Sequence, residues 1–176
     1  MIKDLVHYSD ELLSTELEKF DFDNSPMDPN QLAHELAQTM IVNHGLGLSA
    51  NQIGYPYRVF VMTGQPITAC FNPRIVDESE ETILMEEGCL SYPGLAVKVR
   101  RPRVIRVRYT QPDGETVTRK FQDMTARVFQ HELDHLNGVN MIDRASFMEQ
   151  KHAKKRLKKL EDEKLKKKFF VPELKV

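Results

Sequence analysis

Cysteine is scarce in this 176-residue chain, which holds only Cys70 and Cys89. Two thiols are too few for a disulfide framework, so a cysteine here reads as core, ligand or nucleophile. Long apolar runs are missing as well. None approaches the ~20 residues of a helical membrane span. The opening stretch MIKDLVHYSD has acidic and polar residues where a signal peptide carries its apolar segment. The expected compartment is therefore the cytoplasm, with no membrane contact. No internal repeat is apparent.

What is present suits one soluble domain with an appendage: 40% of residues are hydrophobic and 29% charged. The formal net charge of −1 conceals an asymmetry. Residues 1–150 carry 14 Lys/Arg against 22 Asp/Glu, whereas 151–176 carry 11 against 4. An acidic body and a basic tail imply separate roles. The division read from the sequence is a catalytic domain over 1–146 and a basic helical tail over 147–176.

The segment DELLSTELEKF suggests a short helix. Asp28-Pro29 is a helix start, a capping carboxylate before a proline whose missing donor costs nothing in the first turn. Leu32, Leu36 and Met40, with Ala33, Ala37 and Ile41, then predict a helix from Pro29 to Asn43, closed by Gly45 and Gly47. YRVFVM, ITACF and TILME read as strands. Alternation after Pro102, the turn QPDG and the return ETVTRKF predict an antiparallel hairpin. DMTARVFQHELDHLNG predicts a helix capped by Asp123 and ended at Gly138. A further helix begins near Ser146, turns lysine-rich and stops near Pro172. The class expected is α+β, with antiparallel strands packed around a central metal-binding helix and a C-terminal helix.

Within that helix lies HELDH. His131 and His135, four residues apart, share a helical face and can reach one ion. Glu132, beside the first histidine, can pass protons from the edge of the site without occupying the metal. The same pattern also fits an amphipathic helix with histidines at the core boundary. In EGCLS, Cys89 reads as a small buried hydrophobe or as a third donor; a thiolate with two imidazoles leaves a fourth position open, the layout of a catalytic site. Cys70, in an apolar strand, reads as core. GLGLSANQ offers glycines for close backbone approach and the neutral amide of Gln52; it reads equally as a helix-terminating loop.

Together these segments resemble the peptide deformylase family, whose hallmarks are a glycine-rich segment ending in Gln, an EGCLS-type segment and a helix bearing HExDH, in that order. NGVNMIDR after the helix fits too, and the resemblance covers roughly residues 40–144. Ser49 stands where alanine is common, residues 1–27 match poorly, the stretch from Val61 to Asn72 is short, and the lysine-rich tail matches no catalytic motif.

The resemblance implies an activity: removal of the formyl group from the N-terminal formyl-methionine of new polypeptides, with formate released. It implies one divalent ion on Cys89, His131 and His135, ferrous iron first, with zinc, nickel and cobalt compatible. Hydroxide attacks the formyl carbon while Glu132 shuttles the proton. The Gln52 amide and the Leu90 backbone N–H steady the developing oxyanion. Backbone of Leu46, Gly47 and Gly88 pairs with an extended substrate, and Leu46, Val128 and His131 line a pocket for its methionine. Arg101 stands either at the mouth of that pocket or in solvent, and Asp134 either steers a ligand or forms a surface salt bridge. The expected state is a monomer acting on N-formylated nascent peptides. Its basic tail is either a solvated helix or a tether to the ribosome.

Two other classes stay open at this point. A metalloprotease shares HExxH but takes its third ligand from His or Glu. A nucleic-acid-binding module with a structural metal would need a fourth protein ligand, for which only Cys70 is available.

Overall fold

The computed structural model describes residues 1–169, with side chains described as far as residue 163. Helix α1 spans Pro29–Val42, and the Asp28 carboxylate accepts the Asn30 and Gln31 N–H groups as the sequence predicts. Its buried stripe is Leu32, Leu36 and Met40, while Ile41 points to solvent. Strands β1 (Gly47–Ser49), β2 (Val59–Met62) and β3 (Thr68–Glu78) follow, then β4 (Thr82–Gly88), β5 (Ala96–Pro102), β6 (Val104–Thr110) and β7 (Thr116–Gln122). Helices α2 (Asp123–Leu136), α3 (Met141–Arg144) and α4 (Phe147–Phe169) complete the described chain. The end expected near Pro172 lies outside the described residues.

Five strands form an antiparallel sheet in the order β1-β2-β3-β6-β7, and β4 pairs with β5 in a separate ribbon. Pro102 divides the run VKVRRPRVIRVRYT between the two: β5 turns to β4, and β6 forms the predicted hairpin with β7 around Gly114, whose φ is +87°. Helix α2 lies between the layers. Phe129, Leu133 and Leu136 pack on Phe60, Ile105 and Val107 of the large sheet. On the other side of that sheet's first strands, α1 buries its stripe against Leu48, Val59, Val61 and Phe71. A third cluster joins Tyr92, Leu95, Val97 and Val99 to Met141, Ile142 and Ala153. Each fully buried Leu or Phe contributes about 1.5–3 kcal/mol, so α2 is anchored before any ligand binds.

Two local expectations change. Of DELLSTELEKF only Glu11–Ser14 is helical, a single 3-10 turn capped by Asp10. Beyond it the Leu17 N–H bonds the Leu136 carbonyl, and bridges at Glu16–Asn137 and Glu18–Tyr57 hold the backbone extended; tertiary pairing overrides helical propensity. Asp123 is the first residue of α2 rather than its cap: Gln122 occupies the cap without a side-chain bond, and the Asp123 carboxylate receives Arg103 Nε at 2.8 Å.

Candidate metal centre

One turn of α2 separates His131 from His135, and their rings stand 5.0 Å apart at 76°. Cys89 follows the last residue of β4, and its Sγ lies 3.2 Å from His135 Nε2. Donor atoms of these three residues all fall within 4.8 Å of one another. Cys70 is fully buried in the sheet core and belongs to no such group among the described residues.

Behind His131 stands a charged network that no sequence motif announced. Glu87 Oε2 lies 3.0 Å from His131 Nδ1, which leaves Nε2 for the cluster. Arg101 grips Glu87 through Nε at 2.7 Å and Nη2 at 2.9 Å, and Arg127 reaches the same carboxylate at 2.7 Å. Arg101 Nη1 then donates to Asp134 at 2.6 Å, and Arg144 closes the chain on Asp134 at 2.6 Å. Burial would raise the Glu87 carboxyl, but Arg101 first, with His131 and Arg127, holds it well below the usual range.

The thiol and imidazole are shifted together. Burial opposes ionisation of Cys89, yet the charge of His135 and the hydrogen bonds from both imidazoles hold its pKa well below an ordinary thiol's. Burial likewise opposes a charged His131, but bonds to Cys89 and Glu87 push it up to about 10.

Glu132 is buried beside the pair, and its Oε2 has no hydrogen-bond partner. Burial raises its pKa to about 7, against the lowering effect of His131 and His135. Gly47 faces it: a Cβ built there would lie 2.5 Å from Glu132 Oε1. Gln52 is oriented by the same loop. Its Oε1 accepts both the N–H and the hydroxyl of Ser49 at 2.9 Å, so the extra hydroxyl bonds locally. Its Nε2 faces Ser91 Oγ at 3.0 Å and Cys89 Sγ at 3.5 Å. Asn51 Nδ2 donates to the His135 carbonyl at 2.8 Å and ties this loop to α2. The Leu90 N–H, just past Cys89, donates to no acceptor among the described residues.

A thiol held toward thiolate, two buried imidazoles and an unpartnered buried carboxylate oxygen form a donor set that fits a divalent cation with an open position. His135 Nδ1 is a second buried atom without a partner.

A cleft of about 840 Å³ opens over the cluster. Leu46, Gly47, Gly88, Leu90 and Val128 line it together with Gln52, His131 and Glu132, so most residues singled out in the sequence meet here. Arg101 does not. It is neither at the mouth nor in solvent, because its guanidinium is buried between Glu87 and Asp134. Asp134 is likewise a buried partner of two arginines, not a surface pair. Missed residues include Met124 and Arg127 on the cleft wall, and His7 and Tyr8 on its rim, where Tyr8 stacks on Tyr92 at 5.5 Å.

Comparison with known proteins bears on this geometry. The polypeptide deformylase family model matches residues 2–151, so the likeness extends through the N-terminal segment as well. A peptide deformylase of Thermotoga neapolitana is 46% identical over 110 residues, covering 62% of this chain and 67% of the relative. One from Aquifex aeolicus is 36% identical over 167 residues, covering 91% and 97%. The crystal structure of the Thermotoga maritima peptide deformylase superposes with a TM-score of 0.76 at 37% identity, spanning 83% of this chain and 99% of that one.

Proposed function

The chain belongs to the peptide deformylase family, and from that premise we propose how its own residues carry the reaction. It is a metal-dependent hydrolase that removes the N-formyl group from newly made polypeptides and releases formate. The observation that carries the assignment of residues is the convergence of Cys89, His131 and His135 beside the unpartnered carboxylate oxygen of Glu132.

Cys89, His131 and His135 hold the ion in this reading, and ferrous iron is the one proposed; zinc, nickel and cobalt suit the same donors. A divalent ion held there supplies a Lewis acid and acidifies water. Glu132 takes the proton of the attacking water and delivers it to the leaving nitrogen. Gln52 Nε2 and the Leu90 N–H donate to the formyl oxygen as its charge develops. The methionine side chain enters the apolar wall of Leu46, Val128 and His131. The substrate backbone runs extended past Gly47 and Gly88, since β4 pairs with β5 on one side only and keeps its other edge open. Arg101 acts through Glu87 rather than on substrate.

The lysines of α4 are proposed as a ribosome contact, the molecule as a cytoplasmic monomer, and residues 147–176 as an appendage to the 1–146 catalytic domain. No described helix is long and apolar enough to cross a membrane.

Metal analysis of anaerobically purified protein, paired with formate release from a formyl-methionyl peptide, tests the reading. An acetylated peptide and casein serve as controls for the protease alternative. Glu132→Ala should keep the metal and lose nearly all turnover, while Cys89→Ser should lower metal content. Wild-type turnover in the first, or unchanged metal in the second, would refute the role assigned.

A further inference from the structure

The five-stranded sheet buries one face against α2, while α1 covers the other face over β1 and β2 and leaves it to solvent over β6, β7 and the second half of β3. On that outer face the register sets like charges directly opposite one another: Arg74 faces Arg108 across β3 and β6, and Arg106 faces Lys120 across β6 and β7. Arg106 and Arg108 are two residues apart, so all four side chains share one side of the sheet. All four are exposed, and none makes an ion pair or side-chain hydrogen bond among the described residues. By contrast Arg103, which immediately precedes β6, is paired with both Glu81 and Asp123. Asp77 stands opposite Arg106, but its carboxylate accepts the Glu78 N–H and forms no ion pair with the arginine.

Like charges facing across neighbouring strands cost stability, and a solvated face needs only mixed charge to stay soluble. Here the cations gather on a body in which acids outnumber bases, 22 to 14 over residues 1–150. We propose that this sheet face is a docking surface for the phosphate backbone of duplex RNA. Thr116 and Thr118 add neutral hydroxyls between the cations, Thr118 opposite Arg108. Neighbouring strands set the cations about 5 Å apart and alternate residues about 7 Å apart, so several phosphates of one backbone can be met together. The face offers no aromatic ring on which unpaired bases would stack, as single-strand platforms require. Its apolar members, Val76 and Val104, are small, unlike the bulky side chains with which peripheral proteins enter a lipid surface. Of the three residue types that anchor protein partners, Trp, Tyr and Arg, the face presents only arginine, the one that also pairs with phosphate.

Fluorescence anisotropy of the full chain with an end-labelled RNA duplex tests the proposal. The variant carries Arg74→Gln, Arg106→Gln, Arg108→Gln and Lys120→Gln together. A second variant, Lys154→Gln, Lys155→Gln, Lys158→Gln and Lys159→Gln, controls for the basic helix. The sheet variant should bind at least about tenfold more weakly near 0.1 M salt, with the log–log salt slope reduced by about three to four. Its melting midpoint should equal or exceed that of the parent, because the like-charge pairs are gone. Formate release should be unchanged, which separates this surface from the catalytic reading. Undiminished duplex binding by the sheet variant would overturn the proposal. So would loss of all binding in the helix variant alone, a fall in melting midpoint, or preference for vesicles of equal parts phosphatidylglycerol and phosphatidylcholine over the duplex.

Discussion

Gly47 leaves no room for a side chain beside Glu132: a Cβ at Gly47 would sit 2.5 Å from Oε1 and 2.8 Å from Cδ of the glutamate. The loop that follows α1 thus forms the wall against which Glu132, the proposed proton carrier, rests. Gly47→Ala should push Glu132 out of position while leaving Cys89, His131 and His135, the proposed metal donors, in place. Turnover should fall by about two orders of magnitude or more, the range general acid–base groups contribute. Metal content should stay at the parental level. Formate release and elemental analysis on one preparation measure both, and a retained rate would show that Glu132 can work from elsewhere.

Arg101 joins two buried carboxylates, Glu87 and Asp134, and through Glu87 it orients His131. Arg101→Leu removes the cation shared by both acids, leaving Glu87 to Arg127 and Asp134 to the half-exposed Arg144. Breaking a buried pair of this kind costs about 3–5 kcal/mol, which urea melts would register. Glu87→Gln keeps a hydrogen bond to His131 but not the charge. It should weaken metal binding by about 10–100-fold, the usual effect of losing a group behind a ligand, with a smaller stability loss. Metal titration should therefore rank Glu87→Gln as a binding defect and Arg101→Leu as a folding defect.

The three motifs were legible because their chemistry is local. HELDH places two imidazoles by helical period alone, and glycines in GLGLSANQ announce close approach. The partner of Gly47 was not legible, since Glu132 lies 85 residues away in sequence. The same holds for Arg101. Its position in an alternating, arginine-rich run reads as solvent-facing until β4, β5 and α2 are assembled, when Glu87 and Asp134 converge on it. Asp123 misled in the other direction: it matches the capping pattern, but Arg103 claims its carboxylate. His7 and Tyr8 carry no motif and are held at the cleft by the Val6 N–H bond to the Gln52 carbonyl at 2.9 Å and by Tyr8 stacking on Tyr92.

Acid sensitivity should trace in part to Glu35. This carboxylate is buried on α1, accepts Tyr55 Oη at 2.9 Å and Gln31 Nε2 at 3.2 Å, and faces Lys3 at 3.7 Å. Burial would raise its pKa, but Gln31, Tyr55 and Lys3 together bring it below the ordinary 4.5. A depressed folded-state value stabilises the fold above the unfolded value and loses that contribution as pH falls through the folded one. Glu35→Gln should melt about 2–4 °C lower at neutral pH. The gap should close as both proteins are taken well below pH 4.5. A constant gap across that range would show that the charge of Glu35 contributes nothing.

Truncation after Ser146 should damage more than a tether. Ala153, Leu157 and Leu160 of α4 belong to the cluster containing Tyr92, Leu95 and Val97, and Leu160 comes within 3.6 Å of where a side chain on Gly94 would begin. Glu149 and Arg156 also cover the outer edge of β5, at the Lys98 N–H and the Ala96 carbonyl. Removing the helix exposes apolar surface worth about 2–4 kcal/mol and frees the loop that follows Cys89. The truncated chain should therefore melt lower and lose metal more readily. Ribosome co-sedimentation is better tested with Lys→Gln changes on the exposed face of α4, which leave this packing intact. If truncation at Ser146 alters neither melting nor metal retention, α4 does not support the Cys89 loop.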